Sequence, residues 1–139
     1  MIELRDYWMG RDAQYPLALT PAIRANAVRT VDLANQLLGA ALKAGLTLHG
    51  KADGSLVNSG WRPPAVNAAT AGASPTSLHM TGEAVDLHDP DGALDAWLLK
   101  GGQPDLIRLG LWLEHPDATP GWAHVQTKPP RSGNRVFRP

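Results

Sequence analysis

The chain of 139 residues carries 13 basic and 13 acidic side chains, no cysteine, 14 glycines, 12 prolines and 43% apolar residues. Glycine and proline stay below the roughly 25–30% share of low-complexity chains, and balanced charge offers no global field for nucleic acid or anionic lipid, so a single compact domain is expected. With no cysteine there is no disulfide framework, thiolate site or cysteine nucleophile, and a transition metal would have to be held by His, Asp or Glu.

The N-terminal stretch MIELRDYWMGRDAQYP is charged from its start and lacks the apolar core of a signal peptide. The expectation is a product made in the cytoplasm without a cleavable export signal. Thr20-Pro21 reads as a helix start, with a hydroxyl at the N-cap and proline at N1, where its missing N–H costs nothing. Ile23, Ala27, Val31, Ala34, Leu38, Ala41 and Leu42 then recur at helical spacing, and Gly45 suits the position after the helix. The longest mainly apolar stretch, Val31 to Leu48, is broken by Asp32, Asn35, Gln36 and Lys43 and cannot span a membrane.

Beyond the helix, Leu46–His49 and Ser55–Ser59 are expected as a hairpin around the Lys51-Ala52-Asp53-Gly54 turn. Pro63–Pro75, without apolar periodicity, is expected as a surface loop. Glu83–His88 reads as a strand, Asp91–Lys100 as a short capped helix, and Leu109–Glu114 and Trp122–Gln126 as strands joined by a turn-rich loop. The expected fold is α+β: one domain over residues 1–139, an antiparallel sheet with a long N-terminal helix packed on it. The basic tail, residues 128–139, has no acid and is expected to lie over an acidic region or to remain extended.

The chemistry concentrates in the second half, where four of the five histidines fall: His79, His88, His115 and His124, with His49 apart. In Ser77-Leu-His-Met-Thr-Gly-Glu-Ala-Val-Asp86 an imidazole at a loop end is followed, past a glycine that turns the chain, by a carboxylate in a strand. His79 and Asp86 can thus converge on one cation. His124, on a neighbouring strand, is a candidate third ligand that leaves a fourth tetrahedral position open, as a catalytic zinc requires. His88 shares a strand face with Asp86 and competes as ligand or supporting group. Between Arg62 and Lys100 stand Glu83, Asp86, Asp89, Asp91 and Asp95 with no base. A divalent cation would relieve that charge, although Asp89, Asp91 and Asp95 read as caps of the short helix.

Ser59-Gly-Trp-Arg62, then Ser77-x-His79-x-x-Gly82-x-Ala84-x-Asp86, then Trp122-x-His124 resemble the sequential motifs of the zinc D-alanyl-D-alanine carboxypeptidase family, with its Hedgehog/DD-peptidase fold. The resemblance covers roughly residues 54 to 126 and is greatest to short members from tailed bacteriophages and prophages. It implies one zinc ion per chain held by His79, Asp86 and His124, and a peptidase acting on stem peptides or cross-bridges of peptidoglycan. It also implies that Arg62 holds a substrate carboxylate or carbonyl, a role suited to the guanidinium fork. Ser77 is expected to fix the histidine loop, and Trp122 to wall the cleft.

One departure concerns the general base. Related enzymes often carry an acid three positions before the last histidine, where this chain has Gly121. If Leu109–Glu114 and Trp122–Gln126 form a hairpin with Glu114 opposite Trp122, then Glu114 lies diagonal to His124 and within reach of the reacting water. Glu114 is therefore the expected base, with Asp117 in reserve. His49 and His115 are expected as surface or packing residues, with His115 a minor candidate for transition-state stabilisation.

The function expected is a zinc metallopeptidase of the bacterial cell wall, a carboxypeptidase or endopeptidase of phage or prophage origin. It would be released by a holin or carried as a virion component, with peptidoglycan peptide as partner and neither nucleic acid nor membrane. The alternative is a non-catalytic zinc-containing structural or wall-binding module of a phage tail, which the missing acid at Gly121 keeps open.

Overall fold

A computed structural model describes all residues, 1–139. Two short helices that the sequence pattern does not announce come first: α1 (Leu4–Trp8) and α2 (Arg11–Gln14). Met9 and Gly10, both at positive φ, separate them. Their role is burial. Tyr7 is fully buried and its hydroxyl donates to the Ala84 carbonyl at 2.8 Å, while Trp8 meets Trp61 edge-on at 5.9 Å.

The long helix α3 (Pro21–Lys43) begins where Thr20-Pro21 requires, with Thr20 Oγ1 accepting from the Ile23 N–H at 3.2 Å. It ends in a Schellman motif: the Gly45 N–H donates to the Leu42 carbonyl and the Leu46 N–H to that of Ala41, with Gly45 at φ +92°. Ala27, Thr30, Val31, Ala34, Leu37, Leu38 and Ala41 form its buried stripe. Leu42, expected in that stripe, is half exposed, and Leu37 takes its place on the inner face. Burying Leu37 and Leu38 contributes about 1.5–3 kcal/mol each.

The sheet contains β1 (Val57–Ser59), β2 (Ala84–His88), β3 (Trp112–Glu114), β4 (Trp122–Gln126) and β5 (Val136–Phe137), in the order β1-β2-β4-β3-β5. Neighbours are antiparallel except β3 and β5, which run parallel, so the sheet is mixed rather than purely antiparallel. The basic tail meets both expectations in part: Lys128 pairs with Glu83 of the acidic segment at 3.3 Å, and the end of the tail is extended. It supplies β5, and Arg138 pairs with Asp117 at 2.9 Å.

Three further expectations are corrected. Leu46–His49 is not a strand: Leu46 and Leu48 rest against the core, and β1 pairs with β2 instead of closing a hairpin. The expected loop after Pro63 contains α4 (Pro64–Ala69), started by its proline and tied down by Asn67 Nδ2 donating to the Ser74 carbonyl. The short helix following Asp91 is α5 (Ala93–Leu98), and α6 (Gln103–Leu109) occupies chain ahead of β3, so the strand expected from Leu109 begins only at Trp112.

Period-two alternation gives the sheet its two faces. Val85, Leu87, Ala123 and Val125 join the core with α3. Ala84, Asp86 and His88 on β2, and Trp122, His124 and Gln126 on β4, turn the other way.

Candidate metal centre and active site

The segment Ser59-Gly-Trp-Arg62 acts through both backbone and side chains. Trp61 is fully buried and donates Nε1–H to the Met80 carbonyl at 3.1 Å, while the Arg62 N–H donates to the His79 carbonyl at 3.1 Å. These bonds clamp the loop that carries His79. The Gly60 carbonyl lies 2.8 Å from His79 Nδ1, which places the ring proton on Nδ1 and leaves the Nε2 lone pair facing Asp86.

Gly82 turns the chain from His79 into β2 at φ +77°, and a Cβ there would lie 2.8 Å from the Ile23 carbonyl oxygen of α3. Thr30 Oγ1 donates to the Gly82 carbonyl at 2.7 Å. The glycine of the motif thus answers two demands at once, a left-handed backbone and close passage against a helix.

Three ligand-type atoms converge. His79 Nε2 lies 3.3 Å and His124 Nδ1 2.8 Å from Asp86 Oδ1, and the three lie within 4.8 Å of one another. Asp86 and His124 are cross-strand partners on β2 and β4. Burial pushes the His79 imidazole below its ordinary value, against the pull of Asp86, and so favours the neutral form a metal needs. Burial opposes charge on Asp86, but His79 and His124 outweigh it and hold the carboxyl well below the usual range. Burial also acts against a charged His124, yet its hydrogen bond and charge attraction to Asp86 raise it. Two imidazoles and one carboxylate are the donor set of a catalytic zinc, which takes water or substrate as its fourth ligand.

Glu114 reaches this group from β3. The β3–β4 register pairs Trp112 with Gln126 and Leu113 with Val125, and its continuation sets Glu114 across from His124. The expected pairing with Trp122 is therefore corrected by two residues, a shift that leaves every side chain on its face. Glu114 Oε2 stands 3.9 Å from His124 Nδ1. Burial raises its carboxyl above the ordinary range, with His124 opposing and Asp86 adding. Asp117, the reserve, is exposed in a 3-10 turn (Pro116–Ala118) and bonded to Arg138. Gly121 sits at φ +91°, where an L-residue is strained, and its carbonyl accepts from the Asp89 N–H. An acid is disfavoured at that position.

Arg62 Nη2 donates to Ser77 Oγ at 3.1 Å, and the same oxygen accepts from the His79 N–H at 3.3 Å. Ser77 thus joins the arginine to the histidine loop. Arg62 Nε is buried without a partner. Trp122 lies on the site face across from His88. His88 stays outside the converging group, its Nδ1 buried and unpaired.

His49 pairs with Asp91 at the surface, and His115 joins Asp117 and Arg138. Asp89 caps α5 by accepting from the Leu94 and Asp95 N–H groups, and Asp91 accepts from Ala93. Asp95 is instead buried. Two neighbours of His124 carry no motif: Gln126, whose Oε1 is 3.2 Å from His124 Nε2, and Phe137, whose ring meets that of His124 edge-on at 6.5 Å. The alternation Trp-Ala-His-Val-Gln already places Gln126 on the histidine's face; nothing in the sequence marks Phe137.

This α+β scaffold and its His-Asp-His group define a protein with a candidate metal centre. A protein-family model described as peptidase M15 matches residues 17–100, well over half of the chain, so the chain belongs to the peptidase M15 family, the zinc D-alanyl-D-alanine carboxypeptidases that its motifs resemble. Peptidases of this family are zinc-dependent. The matched span contains Arg62, Ser77, His79 and Asp86, while Glu114 and His124 lie beyond it. No curated protein and no solved structure matches the chain. No helix is long and apolar enough to cross a membrane.

Proposed function

We propose that the chain is a zinc metallopeptidase that cleaves peptide bonds in the stem peptides or cross-bridges of bacterial peptidoglycan. The observation that carries this reading is the convergence of His79 Nε2, Asp86 Oδ1 and His124 Nδ1 with the Glu114 carboxylate beside them. His79, Asp86 and His124 would hold one zinc ion. The chemistry a bound zinc supplies is Lewis acidity toward a peptide carbonyl and toward water, whose pKa it lowers to about 7 from roughly 15.7.

Glu114 takes the proton from the attacking water and returns it to the leaving amine, a role that suits a partly buried carboxylate with a raised pKa. Arg62 orients the substrate through a carboxylate or carbonyl, with Ser77 holding its Nη2. Trp122 walls the cleft. The protein would be encoded by a phage or prophage and reach the wall after holin-type release or within a virion. A non-catalytic wall-binding module is less favoured, because Glu114 supplies an acid where Gly121 cannot.

Mass spectrometry of defined muropeptides incubated with zinc-loaded protein tests this reading, with Glu114→Gln and a chelated sample as controls. Cleavage that needs both zinc and Glu114 supports the peptidase and names its bond. Stoichiometric zinc with no product from any muropeptide would overturn it.

A further inference from the structure

Gln126 is buried, follows His124 by one strand period on β4, and lies on the same face. Both ends of its amide are engaged. Oε1 lies 3.2 Å from His124 Nε2, and Nε2 donates to the Lys128 carbonyl at 2.8 Å. The second bond fixes which end of the amide faces the imidazole, because only the NH2 can donate to a carbonyl. The oxygen is thereby presented to His124, and it can only accept. A proton on His124 Nε2 is favoured, and Nδ1 keeps its lone pair toward Asp86 and His79 once a cation replaces the proton between them.

We infer that Gln126 is a positioning residue of the metal centre, an acceptor anchored through Lys128 that commits His124 to ligation through Nδ1. This rests on the reading of His79, Asp86 and His124 as a zinc site. It mirrors the opposite choice at His79, where the Gly60 carbonyl takes the Nδ1 proton and leaves Nε2 free. The two histidines thus present different nitrogens to one carboxylate oxygen, each selected by an acceptor on its far side.

Zinc affinity, measured by competition with a chromophoric chelator, tests the inference for the full-length wild type, Gln126→Leu and Gln126→Glu. The imidazole 15N shifts of the zinc-loaded proteins are recorded alongside. Gln126→Leu removes the acceptor and is expected to weaken zinc binding 10–100-fold. Gln126→Glu keeps an acceptor toward His124 but cannot donate to the Lys128 carbonyl, so it is expected to bind zinc near or above the wild-type affinity. A residue that merely tied the strand to Lys128 would be disabled equally by both changes. Equal loss in the two variants, a Leu variant within twofold of wild type, or 15N shifts that put the His124 proton on Nδ1 in zinc-loaded protein would each overturn the inference. Wild-type protein that fails to bind zinc would overturn the metal-site reading itself, and the inference with it.

Discussion

Gly60 passes so close to Tyr7 that a Cβ built on it would lie 2.0 Å from the Tyr7 carbonyl oxygen. The same glycine gives its own carbonyl to His79. Gly60→Ala must therefore push α1 away or move the acceptor that orients the histidine. We expect a loss of about 3 kcal/mol in urea denaturation, with weakened zinc binding in the protein that remains folded. Gly54→Ala, at φ +82° but in open space, is expected to cost only about 1–2 kcal/mol and to leave zinc binding unchanged.

Glu114→Gln keeps the shape of the side chain while removing the carboxylate proposed as base. The expected result is a 10²–10⁴-fold fall in kcat on a cleaved muropeptide, with zinc affinity close to wild type. If Asp117 served as the base instead, Asp117→Asn would produce that fall, whereas its exposed pairing with Arg138 predicts no more than a twofold change.

Arg62→Lys retains the charge but loses the fork and the bond to Ser77. A 10–100-fold drop in kcat/KM is expected, with the larger part in KM for a substrate with a free carboxylate next to the scissile bond. Zinc content should stay stoichiometric. Ser77→Ala releases both Arg62 Nη2 and the His79 N–H, and a smaller drop in the same direction is expected from the same assay.

Asp95 gives a pH prediction. Burial, with Asp89 adding, pushes its carboxyl up to about 7. The folded protein therefore holds this proton more tightly than the unfolded chain, and stability falls as pH rises from about 4 to about 7, then carries the full penalty above. Asp95→Asn is expected to stabilise the protein by about 1–2 kcal/mol at pH 8 and to make little difference at pH 4. Thermal unfolding at the two pH values reads this directly; equal effects at both would contradict the assignment.

Where local chemistry decides, the sequence and the structure agree. Thr20-Pro21 starts α3, Trp122–Gln126 is β4 to the residue, and the glycine between His79 and Asp86 makes the turn that brings the two together. α6 was also written locally, with Leu106 and Leu109 on one face, Arg108 in the last turn and Gly110 in the left-handed position after it. A strand read from Leu109 overlooks those signals. α1 is different. Five residues cannot hold a helix alone, and Tyr7 and Trp8 order it by packing against Trp61 and bonding to Ala84, contacts that only the assembled fold supplies. The parallel placement of the two-residue β5 has the same origin: the backbone bonds His115 and Leu113 donate to Phe137 and Arg135 have no local cause. The β3–β4 register escaped for a related reason. The intervening turn could close in either of two in-phase alignments, and period-two patterning accepts both.

The antiparallel pairing of β2 with β4 also has a kinetic meaning. Asp86 and His124 are 38 residues apart in the chain, and nothing but that ladder brings them together. His79 and Asp86 can approach one another through a short turn, but closing the larger loop carries an entropic cost that must be met before the third donor arrives. Acquisition of a tightly held cation is thus expected to report the formation of the central strand pair. The rate at which refolding protein becomes resistant to a weak chelator should follow the slow long-range step that pairs β2 with β4 rather than the formation of local helix.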